Sequence, residues 1–343
     1  MRTLYVVIGC DTDPDRPGFL AGTKSDGLSW RGMTEGIPCL KKLVRGLTDH
    51  QGKEPVFTWL LRVDEQVNRI LGAYNWVLVE HKDFLLDLES RGDELGWHPH
   101  FWAWDEHSRT WYQEISNIDW QIDMLKAAHR AYMEILPGRA RSVRMGWDYH
   151  NNDTFRVLGE LGVRVDFSAV PGLRTLTSRS PACRENLFDW YPTPLVPYYP
   201  SQKDYRRPPR EEEEACAVLE APAFVSQTLL WGMVSGLHMA RKMKDLRQLW
   251  QSLRRPTFWI NLTGRPSLFA PLVSRLRKTL RRKDREKALL VTYFHADELL
   301  EHRSTMYGLP SVRTNLESIL RVSDEAGVTV EFIRAERIAE VFP

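Results

Sequence analysis

Four short segments of this chain carry residue types and spacings that can do chemistry. The first is Asp11-Thr12-Asp13, directly after the strand-like run LYVVIGC. On extended backbone, positions i and i+2 project to the same side, so the two carboxylates converge on one point. Carboxylates so placed repel unless a metal or a shared proton intervenes, or the segment is simply an Asx turn capping the next element. The second is Gly96-Trp97-His98-Pro99-His100, where two imidazoles stand in the same i, i+2 relation, a good bidentate arrangement for a divalent metal. Two imidazoles, a carboxylate and an open position make a hydrolytic metal site. The third, Val143 to Asp148, offers Arg144, which can pair with one of the carboxylates and fix its ionisation. The fourth, Val291 to Glu298, delivers His295 at the end of an apolar run, just before an acidic helix start.

These groups need elements that carry them to one place. Strands are expected at Leu4–Cys10, Val56–Arg62, Glu94–His100, Ser142–Gly146, Val163–Ser168, Val218–Pro222, Thr257–Leu262, Leu289–Phe294 and Val328–Ile333. Helical stripes lie between them. Trp120, Met124, Ala128, Tyr132 and Leu136 recur at i+4 and stop at Pro137-Gly138. Another stripe follows Asn152-Asp153 as cap and ends at Gly162, and a third runs from Val312 to Leu320 and stops at Gly327. Strand–helix alternation predicts a mainly parallel α/β sheet, open or closed into a barrel, with functional groups at the C-terminal strand ends. All four segments above occupy such ends. Residues 171–214, rich in Pro, Tyr and charge, are expected to form a long lid or loop excursion.

Composition narrows the classes. With 343 residues, 43% of them hydrophobic, the chain is not disordered. A net charge of +2 argues against a dedicated nucleic-acid binder. Cys10, Cys39, Cys183 and Cys216 have no CxxC spacing, which implies neither a disulfide scaffold nor a zinc ribbon. The uncharged stretch Ala221 to Ala240 has the length of a bilayer span, but Pro222, Gln227, Gly232, Gly236 and His238 argue against one. No secretory signal is read at the N-terminus, so a soluble cytoplasmic protein is expected. Residues 241–287 hold 15 Lys or Arg against three acids, a solvated basic helical face or a patch for an anionic glycan or membrane surface. Thirteen tryptophans, where about three would be ordinary, remain to be explained.

Taken together, the order Asp-x-Asp, His-x-His, Arg, His resembles the polysaccharide deacetylase family (carbohydrate esterase family 4). Gly92-Asp93-Glu94-Leu95-Gly96-Trp97-His98 is similar to that family's Gly-x-Glu-Ile-Gly-x-His block, and Val291 to Leu299 to its last Leu-x-x-His-Pro strand with Ala296 in place of Pro. Leu158 to Ser168 resembles its helix-to-strand passage, and Pro197-Tyr-Tyr-Pro-Ser201 with Asp204-Tyr205 a subgroup associated with bacterial surface polysaccharide loci. Two positions depart from the pattern: Thr12 separates the paired carboxylates, and the family's second metal His, four residues after the first, is here Trp102, leaving His100 as the substitute.

The resemblance implies a distorted (β/α)7-type barrel and one catalytic domain over residues 1–343, since one site must gather residues from Asp11 to His295. It implies metal-dependent hydrolysis of an N-acetyl group on a sugar or glycan, with Asp13, His98 and His100 holding a divalent ion, zinc being expected. Asp11, oriented by Arg144, would be the base, and His295 would protonate the leaving amine, giving a bell-shaped pH dependence. The sequence leaves open which Asp is ligand and which is base. Trp97, Trp102, Trp147 and Trp190 would offer faces to the sugar. The partner is an N-acetylated carbohydrate rather than a nucleic acid, with a membrane surface a lesser expectation. An inactive carbohydrate-binding descendant and a metal-dependent phosphoesterase are the alternatives, although no second ligand set for a two-metal site stands out.

Overall fold

A computed structural model describes residues 2–15, 29–175, 187–243, 246–282, 284, 286–300 and 306–343. Its centre is β1 (Thr3–Thr12), whose residues from Val6 onward are all buried, as a strand covered on both faces requires. Following β1 are β2 (Thr58–Leu61), β3 (Glu94–Trp97), the hairpin β4 (Trp102–Asp105) and β5 (Thr110–Gln113), β6 (Ser142–Val143) and β7 (Val165–Asp166). The pair β8 (Arg174–Thr175) and β9 (Phe188–Asp189), then β10 (Leu219–Glu220), β11 (Lys287–His295) and β12 (Thr329–Phe332) complete the series. The main sheet is parallel throughout, in the order β10-β7-β6-β3-β2-β1-β11, with β12 beside the first half of β1 and β2 beside its second half. The sheet curls until the chain after β10 meets β11, where Phe224 N–H donates to Val291 O at 2.9 Å. This is a distorted, incompletely closed (β/α) barrel.

The helices form where the periodicity predicts. Helix Ile118–Ile135 buries Met124, Ala128 and Tyr132, and the Tyr132 hydroxyl reaches the Leu95 and Gly96 carbonyls at 3.2 and 3.3 Å, which ties the helix to β3. Asn117 caps its start and Gly138, at φ +77°, follows its end. Helix Asn152–Glu160 begins two residues earlier than expected, because Asn151 forms a capping box with Thr154; such a cap contributes about 1 kcal/mol.

One expected strand does not join the parallel sheet, although Leu262 N–H reaches Tyr293 O of β11 at 3.3 Å. Phe258, in Thr257–Leu262, exchanges both backbone hydrogen bonds with Ser226 at 2.8 Å, so this segment pairs antiparallel with the chain leaving β10. The ends of the expected excursion 171–214 are described, with Tyr198 paired to Glu220 and Ser201 to Ala215; residues 176–186, with Cys183, lie outside the described residues.

Parallel register decides what meets at the C-terminal end. Asp11 lies opposite His295 on one side and Leu60 on the other, and Trp97 opposite Val143. Five strands separated widely in sequence thus release Asp11–Asp13, Arg62, His98–His100, Arg144 and His295 at one rim.

Candidate metal centre and active site

Asp13, His98 and His100 converge: one ligand atom from each lies within 4.8 Å of the others, and all three residues are buried. The His98 and His100 Nε2 atoms are 3.1 Å apart, and Asp13 Oδ1 is 3.7 and 3.6 Å from them. Ligands at about 2.0–2.1 Å around a tetrahedral ion stand roughly 3.3 Å apart, so this triangle fits a zinc-sized cation. The donor set is chemically right as well. His98 Nδ1 donates to the Arg144 carbonyl at 2.6 Å, which leaves the Nε2 lone pair for an ion.

Local sequence explains the convergence. Pro99 spaces the two imidazoles, and the His100 backbone N–H is fixed by Asp64 Oδ2 at 3.0 Å. Arg62, wholly buried, donates from Nη1 to Asp13 Oδ1 at 2.5 Å, from Nε to Asp64 and from Nη2 to Gln66. Although burial would raise it, Asp13 is held well below the usual carboxylate range by Arg62 and His98. Burial would likewise lower His98, but Asp11 and Asp13 outweigh it and hold it above its ordinary value. Burial and Arg62 push His100 well down. Both imidazoles must be neutral at Nε2 to hold an ion, and the raised His98 makes that harder as pH falls, so affinity falls in acid.

Gly146 seats His100. A Cβ on Gly146 would fall far inside contact distance of the His100 ring. Gly146→Ala is therefore expected to displace that imidazole, at a cost of about 1–3 kcal/mol in stability. It should also weaken metal binding about 10- to 100-fold, read by competitive metal titration; an unchanged affinity would show that the ring relaxes without leaving the site.

The second half of the site is a carboxylate–imidazole–arginine group. Asp11 is fully buried; its Oδ2 accepts from Arg144 Nη1 and lies 3.8 Å from His98 Nε2 and 3.5 Å from His295 Nε2. Asp11 Oδ1 is buried with no hydrogen-bond partner among the described residues. Arg144 is sandwiched, its guanidinium 3.4 Å from the Tyr293 ring centre and its Nη2 donating to Asp148. Asp148 and its neighbour Trp147 both adopt φ +56°, a strained choice for non-glycine residues costing about 1–3 kcal/mol each. The Arg144 contact and a 2.7 Å bond from Trp190 Nε1 to the Asp148 carbonyl hold them there. Burial pushes the Asp148 carboxyl up to about 6 against the pull of Arg144, with Asp11 adding to the push. His295 is the most accessible member, its side chain 21% exposed, and its Nδ1 lies 3.4 Å from Glu298 Oε1.

Burial would raise Glu298, but His295, Thr263 and Asn261 outweigh it and hold its carboxyl down to about 2. A depressed carboxyl contributes stability above its unfolded pKa, about 4.3, and that contribution disappears as pH falls through about 2. The stability lead of the native chain over Glu298→Gln should accordingly be about 3 kcal/mol or less at neutral pH and shrink between pH 4.3 and 2. Urea unfolding across that range measures it; a constant lead would remove Glu298 from this role.

The expected residues do not all reach the site. Asp11, Asp13, His98, His100, Arg144 and His295 come together. Trp102 and Trp147 border them, with ring centres 6.4 and 6.5 Å from that of His100, and neither indole N–H has a partner among the described residues. Trp97 and Trp190 correct the expectation of four sugar platforms. Both are fully buried, their N–H groups given to Val63 O and Asp148 O, so they brace the site from behind and present no face. Arg62, Asp64, Asp148 and Glu298 had no expected role; the available signal was their position, at or just beyond C-terminal strand ends.

No family model matches the chain, and no curated protein matches it in sequence. Solved structures do match. A candidate polysaccharide deacetylase from Mycobacterium smegmatis superposes with TM-score 0.52 at 14% identity, over 99% of this chain and 90% of that one. A candidate glycoside hydrolase or deacetylase from Parabacteroides distasonis gives TM-score 0.55 at 12% identity, over 99% of this chain and 71% of that one. The chain has a polysaccharide deacetylase-like fold. Within this deacetylase-like fold, both departures noted in the sequence have a geometric outcome. Thr12 turns inward and bonds Leu60 O at 2.9 Å, letting Asp11 and Asp13 diverge, one to Arg144 and His295, the other to the imidazole pair. Trp102 is stacked at 12° on His100 rather than standing in the triangle.

Proposed function

We propose that this protein hydrolyses an N-acetyl group on a sugar or glycan. The observation that supports it best is the split of the two carboxylates: Asp13 faces two imidazoles, while Asp11 faces an arginine and a third imidazole. Asp13, His98 and His100 would hold the divalent cation, zinc by donor set. When bound, such an ion polarises the acetamide carbonyl and lowers the pKa of water.

The chain's own groups supply the rest. Arg144 grips Asp11 Oδ2 and keeps the carboxylate oriented, so the unpartnered Oδ1 is the atom that takes the proton from water. His295, beside Asp11 Oδ2 and backed by Glu298, gives a proton to the departing amine nitrogen. Burial of Asp11, Asp13, His98, His100 and Arg144 excludes bulk water and strengthens these contacts. Trp102 and Trp147, whose indole N–H groups have no partner among the described residues, would border the sugar. The test is metal analysis joined to an acetate-release screen over N-acetyl sugars and sugar nucleotides. Release that tracks bound metal supports the reading, and release by metal-free protein rejects it.

A second reading, a non-catalytic carbohydrate binder on the same fold, is favoured by one contact. Arg62 already occupies Asp13 Oδ1, the oxygen nearest both imidazoles. It expects glycan binding without metal stoichiometry or acetate release.

A further inference from the structure

Helices Leu229–Met243 and Arg247–Arg254 form a hairpin with its polarity inverted. On the first helix the small residues Gly232, Gly236 and Ala240, four apart, are buried, and a Cβ on Gly232 would collide with Pro256. The large apolar residues point the other way: Leu229, Leu230, Met233, Val234 and Leu237 are exposed. On the second side of the hairpin Ser252 is buried while Leu246, Trp250 and Leu253 are 75%, 67% and 38% exposed. Eight of the twelve large hydrophobic residues exposed among the described residues are on this hairpin. An ordinary surface helix turns such residues inward, so the partner of this face is itself apolar.

Charge identifies the partner. Residues 229–255 carry six Lys or Arg and one acid, and Arg241 and Arg254 are exposed beside the apolar stripe. A second copy would bring like charge against like. A bilayer with anionic headgroups offers an apolar interior under a rim of opposite charge. The first helix, 15 residues and therefore about 22 Å long, falls short of a hydrocarbon core of about 30 Å. No helix among the described residues is long and apolar enough to cross a membrane. We propose that this hairpin lies in the plane of an anionic membrane surface, with Leu230, Val234, Leu246 and Trp250 in the acyl–headgroup boundary.

The hairpin is braced for such a load. Trp231 packs on Phe258 at 5.1 Å, and Arg255 donates to the Tyr191 and Thr193 carbonyls. Four residues on, Trp259 stacks at 4.5 Å on Tyr293, which lies under Arg144 and two residues before His295. The docked face is thereby tied to the wall of the candidate active site. The proposal does not depend on the reaction assigned there.

The test is co-sedimentation of the full chain with vesicles of phosphatidylcholine alone and of phosphatidylcholine with phosphatidylglycerol. The native protein is expected to bind the anionic vesicles at least about tenfold more tightly, less so at high salt. Leu230→Ser with Trp250→Ser should weaken that binding more than about tenfold with thermal unfolding unchanged. Arg254→Glu, which leaves the apolar stripe intact, should weaken it about fivefold or more. Equal partition of native and doubly substituted protein overturns the proposal. So does a native chain that ignores vesicles but self-associates, and becomes monomeric on the double substitution.

Discussion

Asp11→Asn is expected to lower acetate release by about a hundred- to ten-thousand-fold while leaving bound metal unchanged. That range is what removing a positioned general base costs. The substitution is nearly isosteric, and the amide can still accept from Arg144, so packing around the buried site is kept. What it loses is the basicity of Oδ1, the oxygen without a partner. Asp13→Asn gives the contrast. There the expected loss is of metal, because Asp13 is the carboxylate that faces both imidazoles at 3.6–3.7 Å. If Asp11→Asn keeps turnover within a few-fold of the native chain, the base is some other group. If both variants lose metal equally, the division of labour between the carboxylates is wrong.

Replacing His98 and His100 together by Ala should abolish metal retention, where the native chain is expected to hold about one zinc or similar ion. The effect should also appear in stability. A ligand at a hundred times its dissociation constant stabilises the folded state by about 2.7 kcal/mol, roughly 4 °C in Tm for a chain of 343 residues. Zinc should therefore raise the melting temperature of the native protein and leave that of the double variant unmoved. Because His98, held above its ordinary value, must be neutral to hold an ion, the zinc-induced shift should shrink as pH falls. An identical shift in native and doubly substituted protein would mean that zinc binds elsewhere.

Much of the site was legible as sequence because its residues sit at regular offsets on extended backbone. The i, i+2 spacing of Asp11 and Asp13, and of His98 and His100, follows from the strand repeat alone. Register then carried Asp11 to His295, opposite each other across β1 and β11 although far apart in the chain. What escaped was set by contacts that no local pattern encodes. Arg62 closes an expected strand, but only the pairing of β2 with β1, with Leu61 opposite Thr12, brings its guanidinium to Asp13. Trp97 and Trp190 read as sugar platforms from their place in the motifs. Trp97 points into the core because adjacent strand residues face opposite sides, so that His98 takes the rim, and Trp190 is held inward by its bond to the Asp148 carbonyl. Thr257–Leu262 has strand composition, yet it pairs with Ser226, touches β11 through Leu262 and stays outside the parallel sheet.

The amino-acid sequence by itself determined the parallel α/β architecture, the helical stripes and the six polar residues that meet at one rim, since periodicity and residue type are local properties. The tertiary structure decided which carboxylate faces the imidazoles and which faces Arg144. It also decided that two tryptophans are walls, and that the apolar face of the 229–254 hairpin is left uncovered. These are outcomes of register, curl and burial, and each depends on where distant segments pack.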